Sequence, residues 1–114
     1  WSLPGGWADP GLTPSACVEK EIREEAGLKA RAVRLLAVHD RANHDHPPYP
    51  FYVYKLFFHC EAESAEPASG LETAAVGFFA LDGLPPLSTG RVNRTQIEYM
   101  MEAIRHPDWP TVFD

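Results

Sequence analysis

The stretch from Thr13 to Gly27 constrains the fold most, because the sequence alone marks both ends and the buried face of one helix. Threonine followed by proline is a typical helix start and glycine a typical stop, so the stretch predicts a helix from Pro14 to about Ala26. Its apolar residues recur at four-residue spacing, at Val18, Ile22 and Ala26. Residues four apart share one helical face, so this stripe predicts a surface that packs against the core.

Runs of apolar residues predict the other elements. Strands are predicted at 32–38, 51–59 and 74–81, and the second run is nearly continuous in aromatic and aliphatic residues. A strand of that kind is covered on both faces, so we expect it at the centre of the sheet. A second helix is predicted at 93–106. Its core-facing stripe consists of Ile97, Met100, Met101 and Ile104. This order predicts an α/β (α+β) fold with helices packed on a mixed sheet.

Composition excludes several classes of protein. The chain has 114 residues, which predicts one domain over 1–114. Its net charge of −6 argues against a nucleic-acid partner, because a grip on the phosphate backbone needs a basic face. An apolar run of about 18 residues is missing, so the sequence predicts no membrane span. Cys17 and Cys60 lack the spacing of a metal or disulfide framework and indicate reduced thiols in a cytoplasmic protein.

Three carboxylates crowd the last turns of the first helix. Glu21 and Glu25 are four residues apart on one face, and Glu24 lies beside them. Such like-charged pairs destabilise a helix by roughly 0.2–0.5 kcal/mol each, and the helix dipole also disfavours negative charge there. A hard divalent cation, Mg²⁺ or Mn²⁺, would compensate both effects. The alternative is a solvated acidic face neutralised by Lys20 and Arg23.

The residues around these carboxylates resemble a known signature. Read from Gly6, the segment follows the spacing G-x5-E-x7-R-E-U-x-E-E-x-G-U, where U is a bulky aliphatic residue, and this resembles the box of the Nudix hydrolases. The matching positions are Gly6, Glu21, Ile22, Glu24, Glu25, Gly27 and Leu28. Two positions depart from it: Leu12 replaces the first glutamate, and Lys20 replaces the arginine. The flanking Leu3-Pro4-Gly5-Gly6 and the later segment 78–85 are also similar to the family.

The resemblance implies a fold and a metal site. The fold would be a Nudix-type α/β/α sandwich with a mixed sheet. Because complete Nudix domains have strands before the box, we expect this chain to be part of a longer protein, or a partner such as a second copy in a homodimer to complete the sheet. Glu21 and Glu25 would be the main metal ligands, with Glu24 as a further ligand or orienting group and a backbone carbonyl at Gly5. Glu72 would be the general base, with Glu66 as a rival and an exposed loop glutamate as the alternative.

The resemblance also implies an activity. The protein would be a pyrophosphohydrolase, dependent on Mg²⁺ or Mn²⁺, that splits a nucleoside diphosphate linked to X into a nucleoside monophosphate and phosphorylated X. The chain is similar to bacterial pyrophosphatases of the ADP-ribose or CDP-choline type. The alternative is a non-catalytic Nudix-like module that binds a nucleotide sugar. The departures at Leu12 and Lys20 favour the module, whereas the intact set of glutamates favours the enzyme.

Substrate contacts are predicted outside the box. Arg41 and His44 lie in a polar loop and could reach a phosphate or head group. Tyr49 could stack on a base, and Trp7 could form a wall of the pocket. A merely solvated loop is the alternative. The neighbouring histidines at 44 and 46 lack the further spaced ligands that a zinc site requires.

Overall fold

The computed structural model describes residues 1–63 and 75–114, and these contain two α-helices and three β-strands. In chain order the elements are α1 (Pro14–Ala26), β1 (Ala30–Asp40), β2 (Tyr54–Ala62), α2 (Arg94–Arg105) and β3 (Val112–Phe113). Short 3-10 helices cover Arg41–Asn43 and Leu81–Gly83. In the described part of the chain, every helix is too short or too polar to cross a bilayer.

Both ends of α1 are stabilised as the sequence predicts. The Thr13 side chain accepts a hydrogen bond from the Ala16 N–H at 3.1 Å, which satisfies a free donor of the first turn. Gly27 adopts the left-handed conformation with φ of 69° and donates to the Arg23 carbonyl at 3.0 Å. The predicted bounds of this helix are therefore confirmed.

Helix α2 begins with a complete capping box. The Asn93 side chain accepts from the Gln96 N–H at 2.9 Å, and the Gln96 side chain accepts from the Asn93 N–H at 3.1 Å. Ile97 and Met100 are buried, whereas Met101 is 37% exposed. The helix is confirmed to within one residue at each end, but its buried stripe is narrower than predicted.

The sheet has the strand order β2-β1-β3 and is mixed. Strand β3 pairs in parallel with β1, and Ala37 lies opposite Val112. Hydrogen bonds near both ends of the β1–β2 pair, from Arg41 N–H to Val53 and from Glu63 N–H to Lys29, have the antiparallel pattern. The predicted class, helices with a mixed sheet, is confirmed.

The strand predicted at 51–59 is shifted and lies elsewhere in the sheet than expected. It begins at Tyr54 and occupies an edge of the sheet that the described residues form, and Tyr54 remains 69% exposed. Phe51 and Tyr52 precede it and are 67% and 95% exposed. The central position was wrong because an apolar run indicates a strand but does not determine which neighbours will cover it.

The strand predicted at 74–81 is also wrong over its described residues. Residues 75–80 form no regular element, and a 3-10 turn follows at Leu81–Gly83. Both edges of β1 are occupied by β2 and by β3, and the sequence did not predict β3. The segment therefore has no place beside β1, and Phe78 and Phe79 remain 64% and 45% exposed.

The chain divides into two compact units, each with its own apolar cluster. The α1 unit comprises Pro4–Arg34 and Cys60–Phe78, and the α2 unit comprises Trp1–Leu3, Leu35–His59 and Phe79–Asp114. In the α1 unit the buried cluster is Ile22, Ala26 and Leu28. In the α2 unit it is Leu36, Ala37, Met100 and Ala103. Helix α1 thus buries the face that its four-residue spacing predicts, which orients its carboxylates away from that cluster.

Candidate functional site

Two glutamates of α1 meet the glycine turn that precedes the helix. An added Cβ at Gly6 would lie 2.8 Å from Glu21 Oε1, so only glycine allows the backbone this close to the carboxylate. The Gly5 N–H donates to Glu25 Oε2 at 3.2 Å. The turn and the last turns of the helix therefore bring Gly5, Gly6, Glu21 and Glu25 together within the α1 unit.

The surroundings of Glu21 disfavour its charged form. The pKa of Glu21 is raised, chiefly by burial, then by its hydrogen bond with Glu25 and by the Glu25 charge, and to a lesser extent by Glu24. A raised carboxyl pKa means that burial and the neighbouring carboxylates together outweigh the stabilising charge of Lys20. A cation placed between the two groups would reverse that balance.

Glu24 is directed to a different partner. Its Oε1 lies 3.6 Å from Lys20 Nζ, and that ammonium makes a shorter contact of 2.6 Å with Asp9 Oδ2. The Asp9 contact is also the main cause of the raised Lys20 pKa. Lys20 therefore connects the loop after the glycine turn to the helix, and its principal acidic partner is Asp9 instead of the expected Glu24.

The residues present suit a hard divalent cation with an incomplete protein shell. The side-chain atoms at the turn that could bind a metal are carboxylate oxygens, which are the ligands that Mg²⁺ or Mn²⁺ prefers. Over residues 1–63 and 75–114, no three His, Cys, Asp or Glu side chains converge as a closed metal cage. A Mg²⁺ site often uses only one or two carboxylates, with water and substrate phosphates completing the shell. Glu21 and Glu25 fit that pattern.

Leu12 stands where the resemblance would place another glutamate. Its side chain is 42% exposed, and its N–H donates to the Asp9 carbonyl at 3.2 Å. The leucine side chain has no oxygen atom, so this position contributes no charge to the site.

Arg41 organises its own loop in the α2 unit. It is buried, and it donates from Nη1 to the Pro47 carbonyl at 2.6 Å and from Nε to the Gly90 carbonyl at 3.2 Å. Its guanidinium carbon lies 4.9 Å from the centre of the Tyr49 ring, a cation–π distance. These contacts show a structural role for Arg41, and the predicted substrate contact stays a prediction.

The other predicted substrate residues differ in their surroundings. His44 Nε2 lies 2.7 Å from Asp114 Oδ2, a contact that lowers the pKa of Asp114. Tyr49 is 45% exposed and touches Phe51 edge to face. Trp7, in the α1 unit, is 68% exposed. Tyr49 and Trp7 therefore offer ring surface to a ligand, and their predicted roles remain untested.

A cleft of about 280 Å³ in the α2 unit brings His39 and His44, from the loop predicted after the first strand, together with polar residues that the sequence did not single out. His39 is buried, stacks on His44 with ring centres 3.7 Å apart, and has Nδ1 3.1 Å from Gln96 Nε2. His39 and Gln96 are 57 positions apart, so no local spacing could have paired them. The cleft walls also include Asn43, Asn93, Thr95 and Tyr99.

The buried His39 should make stability depend on pH. Its pKa is lowered, first by burial and then by the neighbouring His44. As the pH falls through the ordinary value of 6.5, the unfolded chain takes up a proton that the folded chain still resists. The free energy of unfolding should therefore decrease below about pH 6.5, and urea unfolding at pH 8, 6.5 and 5.5 measures it. A His39→Gln variant should show a shallower decrease, and an unchanged slope would contradict the assignment.

The proposed base lies in a part of the chain that the structure does not describe. Glu72 and its rival Glu66 both fall within 64–74, outside the described residues. Their roles therefore remain those that the resemblance implies.

Comparisons with known proteins identify the family of the chain. The sequence model described as the NUDIX domain matches residues 1–100. The Bacillus subtilis protein YjhB, named provisionally as an ADP-ribose pyrophosphatase, is 45% identical over all 114 residues, and the chain spans about half (55%) of its length. The structure of an ADP-ribose pyrophosphatase from Streptococcus suis is 41% identical with a TM-score of 0.89, over all of this chain and 81% of that one.

A second solved structure is also similar. A UDP-X diphosphatase is 34% identical with a TM-score of 0.87, over all of this chain and 55% of that one. These likenesses confirm the fold class predicted from the sequence.

Proposed function

The chain belongs to the NUDIX family, and from this premise we propose that it is a divalent-metal-dependent pyrophosphohydrolase. Its substrate would be a nucleoside diphosphate linked to a group X, and its products a nucleoside monophosphate and phosphorylated X. The observation that carries the proposal is the meeting of Glu21 and Glu25 with the glycine turn. A solvated acidic face would not need a carboxylate packed so close to the turn that an added Cβ at Gly6 would displace it.

Several residues of the α1 unit would bind the metal or orient its ligands. Glu21 and Glu25 would supply carboxylate oxygens, and the Gly5 carbonyl a backbone oxygen. Glu24 would either add a ligand by leaving Lys20 or orient the others from its present position. The Gly5 N–H restrains the Glu25 side chain by a hydrogen bond. Less conformational freedom of that side chain is then lost when the metal binds. When bound, the cation neutralises the phosphates and orients an attacking water.

The general base is proposed from the resemblance alone. Glu72 would accept the proton of the attacking water, because a carboxylate can act as a general base. Arg41, His44, Tyr49 and Trp7 remain the proposed substrate contacts. Of these, the exposed rings of Tyr49 and Trp7 are the ones most accessible to a base.

The substrate class follows from the relatives. Two of the similar proteins are named for ADP-ribose and a third for UDP-X, and all three names describe a nucleoside diphosphate carrying a second group. We therefore propose ADP-ribose as the leading candidate, with CDP-choline retained from the sequence resemblance. We also propose Mg²⁺ as the metal, with Mn²⁺ as the alternative, and a cytoplasmic location and a homodimer as earlier predicted.

A hydrolysis screen tests the proposal. The full-length protein is incubated with ADP-ribose, CDP-choline, NADH, diadenosine polyphosphates and nucleoside triphosphates, with Mg²⁺, with Mn²⁺ and with chelator. We expect metal-dependent release of a nucleoside monophosphate from a diphosphate-X compound. Turnover that persists in chelator, or none on any compound with either metal, would refute the proposal.

A non-catalytic nucleotide-sugar module is the second candidate. Leu12 in place of a glutamate and the pairing of Glu24 with Lys20 both reduce the charge available to a metal. This candidate predicts that ADP-ribose binds without being cleaved. Calorimetric measurement of ADP-ribose binding, run together with the hydrolysis screen, distinguishes the two candidates.

A further inference from the structure

A chain of hydrogen bonds fixes the position of the proton on His39. The Asn93 N–H can only donate, so the Gln96 atom that it meets at 3.1 Å is the amide oxygen. The other end of the Gln96 side chain is then the NH₂ group, which donates to His39 Nδ1 at 3.1 Å. Because Nδ1 accepts, the neutral ring carries its proton on Nε2. Burial lowers the pKa of His39, which favours this neutral form.

The Nε2–H of His39 is therefore a fixed donor, and the described residues supply no acceptor for it. In the described part of the chain, the sealed side-chain nitrogen that lacks a partner belongs to His46, so Nε2 of His39 keeps contact with solvent. His39 is 7% exposed and borders the cleft of about 280 Å³ in the α2 unit, which we call the His39 cleft. The exposed part of the ring therefore opens to this cleft.

Other polar groups that border the His39 cleft are also available to a ligand. The Thr95 and Tyr99 hydroxyls and the Asp45 carboxylate make no side-chain hydrogen bond to any described residue. His44 differs from them, because its Nε2 is already paired with Asp114 at 2.7 Å. The cleft thus combines one fixed donor, one carboxylate acceptor and two hydroxyls that can either donate or accept.

The charges at the His39 cleft favour a neutral ligand. Asp45 carries a negative charge, and among the described residues that border the cleft there is no lysine or arginine, so an anion would be repelled. A cation would face the Nε2–H donor of His39. A hydroxyl group avoids both conflicts, because it can donate to the carboxylate and accept from the imidazole. Tyr99 and Val112 add apolar surface that suits ring carbons.

We propose that the His39 cleft binds an uncharged polyhydroxylated ring of pentose size, with Asp45 accepting from neighbouring hydroxyl groups and His39 Nε2–H donating to another. In dinucleotide-binding α/β folds a carboxylate recognises a ribose hydroxyl in this way. The volume of about 280 Å³ lies just below the range of sites for drug-sized ligands, which suits a single ring.

The pentose site goes beyond the proposed function and does not rest on it. The residues that border the His39 cleft all belong to the α2 unit, whereas Glu21 and Glu25 belong to the α1 unit. Binding of the pentose therefore requires neither the metal nor turnover.

D-Ribose is the probe that tests the site. The full chain is titrated in chelator at pH 8, and long-range ¹H–¹⁵N NMR spectra follow the two ring nitrogens of His39. We expect the neutral Nε2–H tautomer without ribose, and a saturable shift of its Nε2 resonance as ribose is added. 2-Deoxy-D-ribose should bind at least about tenfold more weakly, because it lacks one of the neighbouring hydroxyls that donate to the charged Asp45.

Asp45→Asn removes the charge and keeps the shape of the side chain. Asp45 has φ of 50°, a left-handed conformation that asparagine also tolerates, so the variant should fold. It should bind ribose at least about tenfold more weakly, because its hydrogen bonds are no longer made to a charged group.

Asp108→Asn is the matched control. Asp108 is exposed, belongs to the α2 unit and does not border the His39 cleft. Ribose affinity in this variant should equal that of the unmodified chain. Circular dichroism and the unfolding midpoint establish that both variants are folded.

Several results would overturn the pentose site. These are the absence of saturable ribose binding, equal binding of ribose and 2-deoxyribose, and equal ribose affinity in Asp45→Asn and Asp108→Asn. An Nδ1–H tautomer of His39 would remove the donor on which the site depends. Ribose binding by a protein without hydrolase activity would support the site, whereas hydrolysis without ribose binding would overturn the site alone. The two proposals therefore fail separately.

Discussion

Replacing Glu25 with glutamine should lower kcat/KM about a thousandfold while leaving the protein folded. The amide keeps the size of the side chain and can still accept from the Gly5 N–H, but it removes one of the two negative charges that meet at the turn. Metal assistance contributes several kcal/mol to such reactions, and each 1.36 kcal/mol changes the rate about tenfold. Steady-state kinetics with ADP-ribose over a range of Mg²⁺ concentrations measure the effect.

Glu98→Gln is the control for this experiment. Glu98 is a helix glutamate in α2 that pairs with Arg94 at 2.7 Å, so the same chemical change is made away from the glycine turn. Its kcat/KM should remain near that of the unmodified protein. Near-normal turnover of Glu25→Gln at saturating Mg²⁺ would refute the assignment of Glu25 as a metal ligand.

A single methyl group at Gly6 should reduce kcat/KM about a hundredfold. The Cβ of alanine would lie 2.8 Å from Glu21 Oε1 and 2.9 Å from Glu21 Cδ, so the carboxylate must move. Displacing a catalytic group by about 1 Å can cost a factor of about 100. The Mg²⁺ concentration needed for half-maximal activity should rise as well, because the displaced carboxylate is a proposed metal ligand.

Gly83→Ala is the control for Gly6→Ala. A Cβ at Gly83 meets no atom within 4 Å, so the same substitution adds a methyl group to open space. We expect unchanged kinetics there. If Gly6→Ala keeps full activity at limiting Mg²⁺, the Glu21 carboxylate has room to move and its close approach to the turn is not required.

Local signals explain which parts of the fold were predictable. Thr13 and Gly27 stabilise α1 through contacts within one turn, so the sequence marks both ends. Strand positions depend on partners that are distant in sequence. The aromatic run that begins at Phe51 resembles a buried strand, yet its place at the sheet edge depends on β3 occupying the other side of β1. Nothing near Val112 indicates that pairing.

The site also combines features set by local spacing with features set by residues distant in sequence. The four-residue spacing of Glu21 and Glu25 predicts that they share a helical face. Their contacts with the glycine turn could be expected from the resemblance, but the distances could not. Lys20 pairs chiefly with Asp9 because the intervening loop folds back toward the helix, and the sequence does not reveal that path. The inward direction of Arg41 depends on carbonyls at Pro47 and Gly90, and the second is 49 positions away.

The parallel pairing of β3 with β1 has a consequence for the order of folding. Thr111 donates to the Leu35 carbonyl across 76 positions, and the Asp40 N–H donates to Asp114 across 74. Closing loops of this length costs chain entropy before any contact compensates for it. Helix α1 and the β1–β2 hairpin can form from nearby residues. The β1–β3 edge should therefore consolidate late, which makes it the last part of the sheet protected from hydrogen exchange during refolding.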